Sequence, residues 1–366
     1  MSEAKLNFSV GPVMMSEDVR RIGQEQIPYF RTSDFSALMK ENEQMLKELT
    51  LAEEESRVIF LTASGTGGME MAIMNCFGPK DKVLIVNGGS FGKRFVALCR
   101  TYGISYEDID LKAGESLNTE HLLPFEGKGF TGFLVNMHET STGVLYDMEM
   151  IGDFCKRNQM FLVVDAISAF LADELRMAEW GIDVLIISSQ KALALPPGMS
   201  FLVLNRKAME RISQTEVASL YFDIKEYLKD GERGQTPYTP AVSILIQLHA
   251  RLRKVQEAGR EAEIKRVKSL ADYFRKKIEG LPLKMFTETP SNAVTALLTP
   301  EDINAHEVFE RIEAEYDIWI CPNGGELKEQ VFRVGHIGEL THEDYDRLVE
   351  ALTAVLTKGS VYEQIG

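Results

Sequence analysis

From residue 57 to residue 204 the chain alternates short apolar runs with longer amphipathic stretches. The runs fall at 57–61, 83–86, 133–135, 161–164, 184–187 and 201–204, and they are rich in Val, Ile, Leu and Phe. Most are apolar at every position, which is how strands read when helices cover both faces of a sheet. Helical patterns lie between them. In one, Met69, Ala72, Ile73, Cys76 and Phe77 fall on a single stripe. The alternation predicts an α/β domain of three layers, helices on either side of a mostly parallel sheet.

Pro237, Pro240 and the Gly-Glu-Arg-Gly turn at 231–234 interrupt this region. A long helical stretch is expected from about 242 to 279, ended by Pro282 just past Gly280. The pattern then changes. Residues 292–298, 318–321 and 331–334 look like strands, and 302–315 and 341–357 look like helices. This predicts a smaller α+β domain packed on the first. The expected division is 16–255 for the large domain and 256–366, with residues 1–15, for the small one.

The chain of 366 residues is long enough for about two domains. Its net charge of −15 argues against a general nucleic-acid binder, which needs a basic face, but leaves room for a small basic pocket. No apolar run approaches the ~20 residues needed to span a bilayer, so no membrane contact is expected. The first residues lack the charged-then-apolar pattern of a signal segment. Cys76, Cys99, Cys155 and Cys321 are scattered, with no CxxC pair. Neither a disulfide framework nor a metal site is expected, and a reducing cytoplasm is the default location.

Several loops follow apolar strands, where ligands bind in open α/β sheets. Thr62-Ala-Ser64-Gly65-Thr66-Gly67-Gly68 joins a strand to a helix. Its small residues and free helix N–H groups suit a phosphate, and an ordinary turn would also read this way. It lacks the Gly-Lys-Ser/Thr ending of a nucleotide loop. Asp165 ends an all-apolar strand. It is either a helix cap or a carboxylate answering a cation, such as a protonated ring nitrogen. Lys191, in Ser188-Ser189-Gln190-Lys191-Ala-Leu-Ala-Leu-Pro196-Pro197-Gly198, lies between two apolar runs. Burial would lower its pKa and make the amine a nucleophile; the alternative is a lysine that reaches out to water. His138-Glu139-Thr140-Ser141-Thr142-Gly143 is either a capped turn or a polar ligand's wall. Phe91, after the strand at 83–86, is a core residue or a ring-stacking face. One ligand would use all of these: pyridoxal phosphate has a phosphate, an aldehyde that forms a Schiff base with lysine, and a ring nitrogen that needs an acid.

These motifs together resemble the class V aminotransferases. The likeness runs from Val10-Gly11-Pro12 to Phe332-Arg333-Val334-Gly335. Within the class it lies nearest the alanine–glyoxylate/serine–pyruvate group and 2-aminoethylphosphonate–pyruvate transaminase. The resemblance implies fold type I of the pyridoxal-phosphate enzymes, the aspartate-aminotransferase fold. It implies that Lys191 is the Schiff-base lysine and proton carrier, and that Asp165 is the partner of the ring nitrogen. Ser64, Gly65, Thr66, Ser188 and Gln190 match the phosphate and cofactor site. Phe91 matches the stacking aromatic, and Thr142 a hydroxyl beside the ring. Arg333 matches the grip on the substrate carboxylate, with Gly11 on the substrate side. In the family a segment of the partner subunit completes the phosphate site. Here that is Thr236-Pro-Tyr238-Thr239, with Thr236 and Thr239 as the candidates, which implies a homodimer. Arg31 lies in a segment that usually reads His-Arg, and Phe30 stands where the His would be.

The activity implied is ping-pong transamination from a small amino acid such as alanine or serine to a 2-oxo acid such as glyoxylate or pyruvate. The alternative donor is 2-aminoethylphosphonate. Two rival readings are a cysteine desulfurase-like lyase and a phosphate-binding protein without chemistry. The lyase would need a nucleophilic cysteine on a mobile loop and usually a stacking His. Cys321 follows an apolar strand, and the stacking position holds Phe91.

Overall fold

The computed structural model describes residues 5–358. The ends of the expected small domain, 1–4 and 359–366, lie outside the described residues. The apolar runs form one seven-stranded sheet. Its order is Arg57–Leu61, Ser200–Leu204, Val184–Ser188, Phe161–Asp165, Gly132–Asn136, Lys82–Asn87, Ser105–Asp110. Ser200–Leu204 runs antiparallel to both neighbours, and the other neighbouring pairs are parallel.

Alternate side chains go to opposite faces. Leu162, Val164, Leu185 and Ile187 pack with Met39 and Leu46 of the helix Ser33–Leu49 and with Leu248 of the helix Val242–Ala258. Phe161, Val163, Val184 and Ile186 pack on the other side with Met69 and Ile73 of the helix Gly65–Cys76. With both faces covered, the strands read as continuous apolar runs. Ser105–Asp110 escapes that pattern. It is the outer strand beside Lys82–Asn87, and only Ile109 is buried. An edge strand with wet sides carries polar residues and leaves little apolar signal.

The parallel strands all end at one rim. The loops at 62–68, 88–92, 137–143, 166–168 and 189–199 therefore share it. A second, antiparallel sheet has the order Lys284–Met285, Val294–Leu298, Val331–Gly335, Cys321–Pro322. Its core includes Phe8, Phe274, Phe332, Tyr345 and Leu348. The N-terminal segment belongs with it: Leu6–Asn7 pairs with Ile318–Trp319, and the Gly335 N–H donates to Phe8 O at 2.7 Å.

Two expectations change. The helical stretch after 242 is two helices, Val242–Ala258 and Arg260–Lys277, because Gly259 takes φ +93 between them. That left-handed backbone cannot continue a helix and costs glycine little. The run 318–321 divides as well. Ile318–Trp319 pairs with Leu6–Asn7, while Cys321–Pro322 pairs with Val331–Gly335. Among the described residues no helix is long and apolar enough to cross a membrane.

Candidate active site

Lys191 follows the strand Val184–Ser188 in a loop tied back on itself. Ser189 N–H donates to Met199 O and Leu195 N–H to Ser189 O, both at 3.0 Å. The lysine is buried, and its Nζ donates to Val10 O at 2.5 Å. Its pKa is lowered to about 8, chiefly by burial; nearby Arg333 and Arg94 act in the same direction, while Cys321 and Asp165 pull the other way. At neutral pH a useful fraction of the amine is unprotonated, which an exposed lysine does not offer. Gly11 completes the seat. A Cβ there would stand 2.8 Å from Lys191 Cδ.

Asp165 ends the neighbouring strand and is buried. Its Oδ1 accepts the Ile167 N–H at 2.9 Å. Burial raises its pKa to about 6; the Ile167 N–H, Lys191 and Arg94 oppose this, and Glu139 adds to it. It is therefore a carboxylate at pH 7, held in a place where water does not screen it.

Two helices present their N-termini at the same rim, and they differ. The helix Ser90–Thr101 is closed. Glu139 is fully buried, and its carboxylate accepts the Phe91 and Gly92 N–H groups at 3.1 Å, while Ser141 Oγ accepts the Ser90 N–H at 3.0 Å. The helix Gly65–Cys76 is open: Ser64 makes no capping bond to it. Its first N–H groups remain free for an anion, with the helix dipole in favour. Gly65 packs closely on the Asp165 loop: a Cβ there would stand 2.5 Å from Ile167 Cδ1, which would have to move aside.

Arg94 links these two ends. Its Nη1 donates to Thr66 Oγ1 at 3.0 Å, and its guanidinium lies 4.8 Å from the centre of the Phe91 ring. Sequence reading missed it. The available signal was its place one helical turn after Phe91, on the same face.

Arg333 reaches the rim from the second sheet. It is buried; Nη1 donates to Thr140 O at 3.0 Å and Nη2 to Pro322 O at 2.6 Å, while Nε has no partner. Its strand neighbour Cys321 is half-buried and close enough to act on the Lys191 charge. Among the described residues Lys191, Arg94 and Arg333 meet carbonyls and a hydroxyl, and none is paired with a carboxylate. Three such cations on one rim favour an anionic ligand.

The turn at 138–143 is mostly a capped hairpin. His138–Glu139 pairs with Val144–Leu145, and the Thr142 hydroxyl donates to Glu139 O at 3.3 Å. Thr140 is the hydroxyl that faces another strand end, at 2.7 Å from Ser168 Oγ. His138 is buried with neither ring nitrogen bonded; burial, with Lys191, Arg333 and Arg275 around it, lowers its pKa to about 3. It is a neutral imidazole.

The Ser188 hydroxyl donates to Gln190 Oε1 at 2.6 Å, with Met199 O the other acceptor in reach at 3.1 Å, so it orients Gln190. Ser64, Gly65, Thr66, Phe91, Asp165, Gln190, Lys191, Gly11 and Arg333 thus share the rim or its approaches. Thr236 and Thr239 stand apart from one another. Thr236 is buried and its hydroxyl donates to Tyr238 O at 2.7 Å, whereas Thr239 is exposed.

Comparison with known proteins agrees with this geometry. The aminotransferase class V family model matches residues 28–325. An L-aspartate–glyoxylate aminotransferase from Paracoccus denitrificans is 27% identical, over 98% of this chain and 91% of its own length. A protein from a Synechococcus strain named as a soluble hydrogenase small subunit is 32% identical, over 98% of this chain and 94% of its own length. A crystal structure of an alanine–glyoxylate aminotransferase from Nostoc superposes with TM-score 0.92 at 26% identity, covering 97% of this chain and 96% of that one. The hydrogenase name implies another chemistry; the family model and the aminotransferase relatives agree with the site and decide the class. The chain belongs to the class V aminotransferases. Its fold is fold type I, its reaction is amino-group transfer, and its cofactor is pyridoxal 5′-phosphate.

Proposed function

We propose that this aminotransferase moves the amino group of a small amino acid to glyoxylate or a similar 2-oxo acid, with Lys191 as the proton carrier. The observation that carries the reading is the buried Lys191 amine with a lowered pKa, on the same rim as the buried Asp165 carboxylate and an open helix N-terminus. Glyoxylate as acceptor is supported by the named activities of the Paracoccus and Nostoc relatives.

The residues present fit the cofactor. The free N–H groups after Ser64, Gly65 among them, the Thr66 hydroxyl and Gln190 form a donor set for its phosphate. Phe91 would cover one face of the ring, and Asp165 would hold a proton on the ring nitrogen. Bound pyridoxal phosphate supplies an aldehyde that condenses with amines and a ring that draws electron density from the reacting carbon. Arg333 turns its guanidinium to the substrate α-carboxylate, a pairing its planar fork suits. With the cofactor bound, Lys191 would carry the proton between the substrate Cα and the cofactor C4′. Gly11 and Val10 O keep the amine aimed and the approach dry.

The working unit proposed is a homodimer with shared sites. Ile27, Tyr29 and Leu220 are 55%, 69% and 80% exposed, large apolar residues on the segments around Thr239. A second copy covering them would bring its own Thr239 to the phosphate, while Thr236 keeps the turn closed. A cytoplasmic location accords with four free thiols, three of them buried.

The test is an absorbance titration of the enzyme loaded with pyridoxal phosphate against L-alanine, L-serine, L-aspartate and 2-aminoethylphosphonate. Bleaching of the yellow form by an α-amino acid, reversed by glyoxylate, is the expected result. Response to 2-aminoethylphosphonate alone would replace the donor assignment, and a protein that takes up no cofactor would remove the reading.

A further inference from the structure

Arg31 is the residue of the Phe30–Arg31 pair whose purpose the sequence leaves open. Its guanidinium spans one segment of chain. Nη1 donates to Thr236 O at 2.8 Å and to Gln235 Oε1 at 3.2 Å, and Nη2 donates to Pro237 O at 3.4 Å. The contact is returned: Gln235 Nε2 donates to Ser36 Oγ at 2.7 Å and to Phe30 O at 3.2 Å. Gly234, at φ +70, lets the two strands of chain meet, since a Cβ there would stand 2.3 Å from Ser36 O. Beyond the clamp the segment is fixed by Tyr238, which stacks on Tyr221 at 5.1 Å and donates to Leu220 O at 2.6 Å.

All these bonds hold residues 235–238 from their own chain's side. Thr239, directly after them, is exposed. Arg31 pairs with carbonyl groups and has no carboxylate partner among the described residues, so its charge is not cancelled. A segment shaped by a planar fork, carrying an uncancelled positive charge and ending in a free hydroxyl, is suited to receive a phosphate from outside.

We propose that Arg31 is a positioning residue that acts across the dimer: it holds the segment from Gln235 to Thr239 in the shape with which Thr239 reaches the cofactor phosphate in the second copy's site. The proposal rests on the shared-site dimer described above. It assigns Arg31 a role for the partner's cofactor and none for its own.

The experiment is a paired-variant dimer. Arg31→Ala and Lys191→Ala chains carry different affinity tags, are expressed together, and heterodimers are isolated through both tags. One site in that dimer has an intact Lys191 and receives its segment from the chain with an intact Arg31. The expected heterodimer has about half the wild-type activity per dimer, because one of its two symmetric sites is whole. It also retains pyridoxal phosphate on gel filtration better than the Arg31→Ala homodimer. That homodimer binds the cofactor roughly 10 to 100 times more weakly than wild type, as expected for the loss of charge-assisted bonds. Arg31→Lys, which keeps the charge but not the fork, is run in the same way in case the alanine variant fails to fold. A heterodimer no better than the Arg31 variant alone means that Arg31 serves its own site, and it overturns the proposal while leaving the dimer intact. A wild-type enzyme that is fully active as a monomer by light scattering overturns the shared-site reading itself, and this proposal with it.

Discussion

Gly11 lies directly against the side chain of Lys191. A methyl group on it would stand 2.8 Å from Cδ and 3.0 Å from Cε, and the carbonyl before it, Val10 O, already takes the lysine amine at 2.5 Å. An N-terminal segment anchored to the second sheet thus aims an amine that belongs to the first. Gly11 also has φ +132, a conformation that L side chains rarely adopt. Gly11→Ala is expected to cost about 1–2 kcal/mol in stability. It should also lower kcat by roughly 100-fold, since a displacement of this size misplaces the proton carrier. Steady-state kinetics beside urea unfolding separates the two effects; wild-type kcat in a folded Gly11→Ala enzyme would reduce the contact to passive packing.

The titration of Lys191 gives a second test. Burial is the main cause of its pKa near 8, against an ordinary value of 10.5. Competitive acylation of the cofactor-free protein, read by mass spectrometry, should show this lysine reacting with an inflection near pH 8. Asp165 raises the value, so Asp165→Asn should shift the inflection to lower pH. Arg94 lowers it, so Arg94→Gln should shift it upward. Shifts of the opposite sign would mean that these charges do not reach the amine.

Much of this was legible in the chain because both faces of the large sheet are dry. Apolar runs then mark strands, and polar residues just past them mark the rim, which is why Ser64, Asp165 and Lys191 stood out. The parts that stayed hidden depend on distant pairings. Arg94 is an ordinary helical arginine until Thr66, 28 residues away, is seen beside it. Ser188 and Thr142 read in the sequence as ligand contacts, and the bonds their hydroxyls make within their own loops are not visible there. Gly259 was visible as a glycine, but the helical periodicity runs on through both flanks and concealed the break.

Glu139 should be the most costly side chain of the rim to remove. It is fully buried, and its oxygens accept Phe91 N–H, Gly92 N–H, Ser141 N–H, the Ser141 hydroxyl and Asn136 Nδ2. Glu139→Ala would leave those donors unpaired at the end of the helix that carries Phe91. Breaking a buried charged network of this kind costs on the order of 3–5 kcal/mol. Glu139→Gln, which keeps the shape and one acceptor oxygen, should cost less than half as much. Urea unfolding of both variants checks the order; equal stabilities would mean that water replaces the carboxylate.

Arg333 separates binding from chemistry. Its guanidinium is buried, leans on two carbonyls and keeps Nε free, so it is oriented before any substrate arrives. A lysine in its place retains the charge but lacks a fork for both carboxylate oxygens. Arg333→Lys should therefore raise KM for the amino donor roughly 10 to 100-fold, the loss of one to two charge-assisted bonds. The carboxylate is held in the ground state and transition state alike, so kcat should change by only a few-fold. Removing this cation, as Arg333→Gln does, should also raise the pKa of Lys191, since Arg333 acts to lower it. Donor kinetics of Arg333→Lys and the acylation profile of Arg333→Gln test the two claims. An unchanged KM with a collapsed kcat would place Arg333 in the proton transfer and leave the substrate carboxylate to another cation, with Arg94 next in line on the same rim.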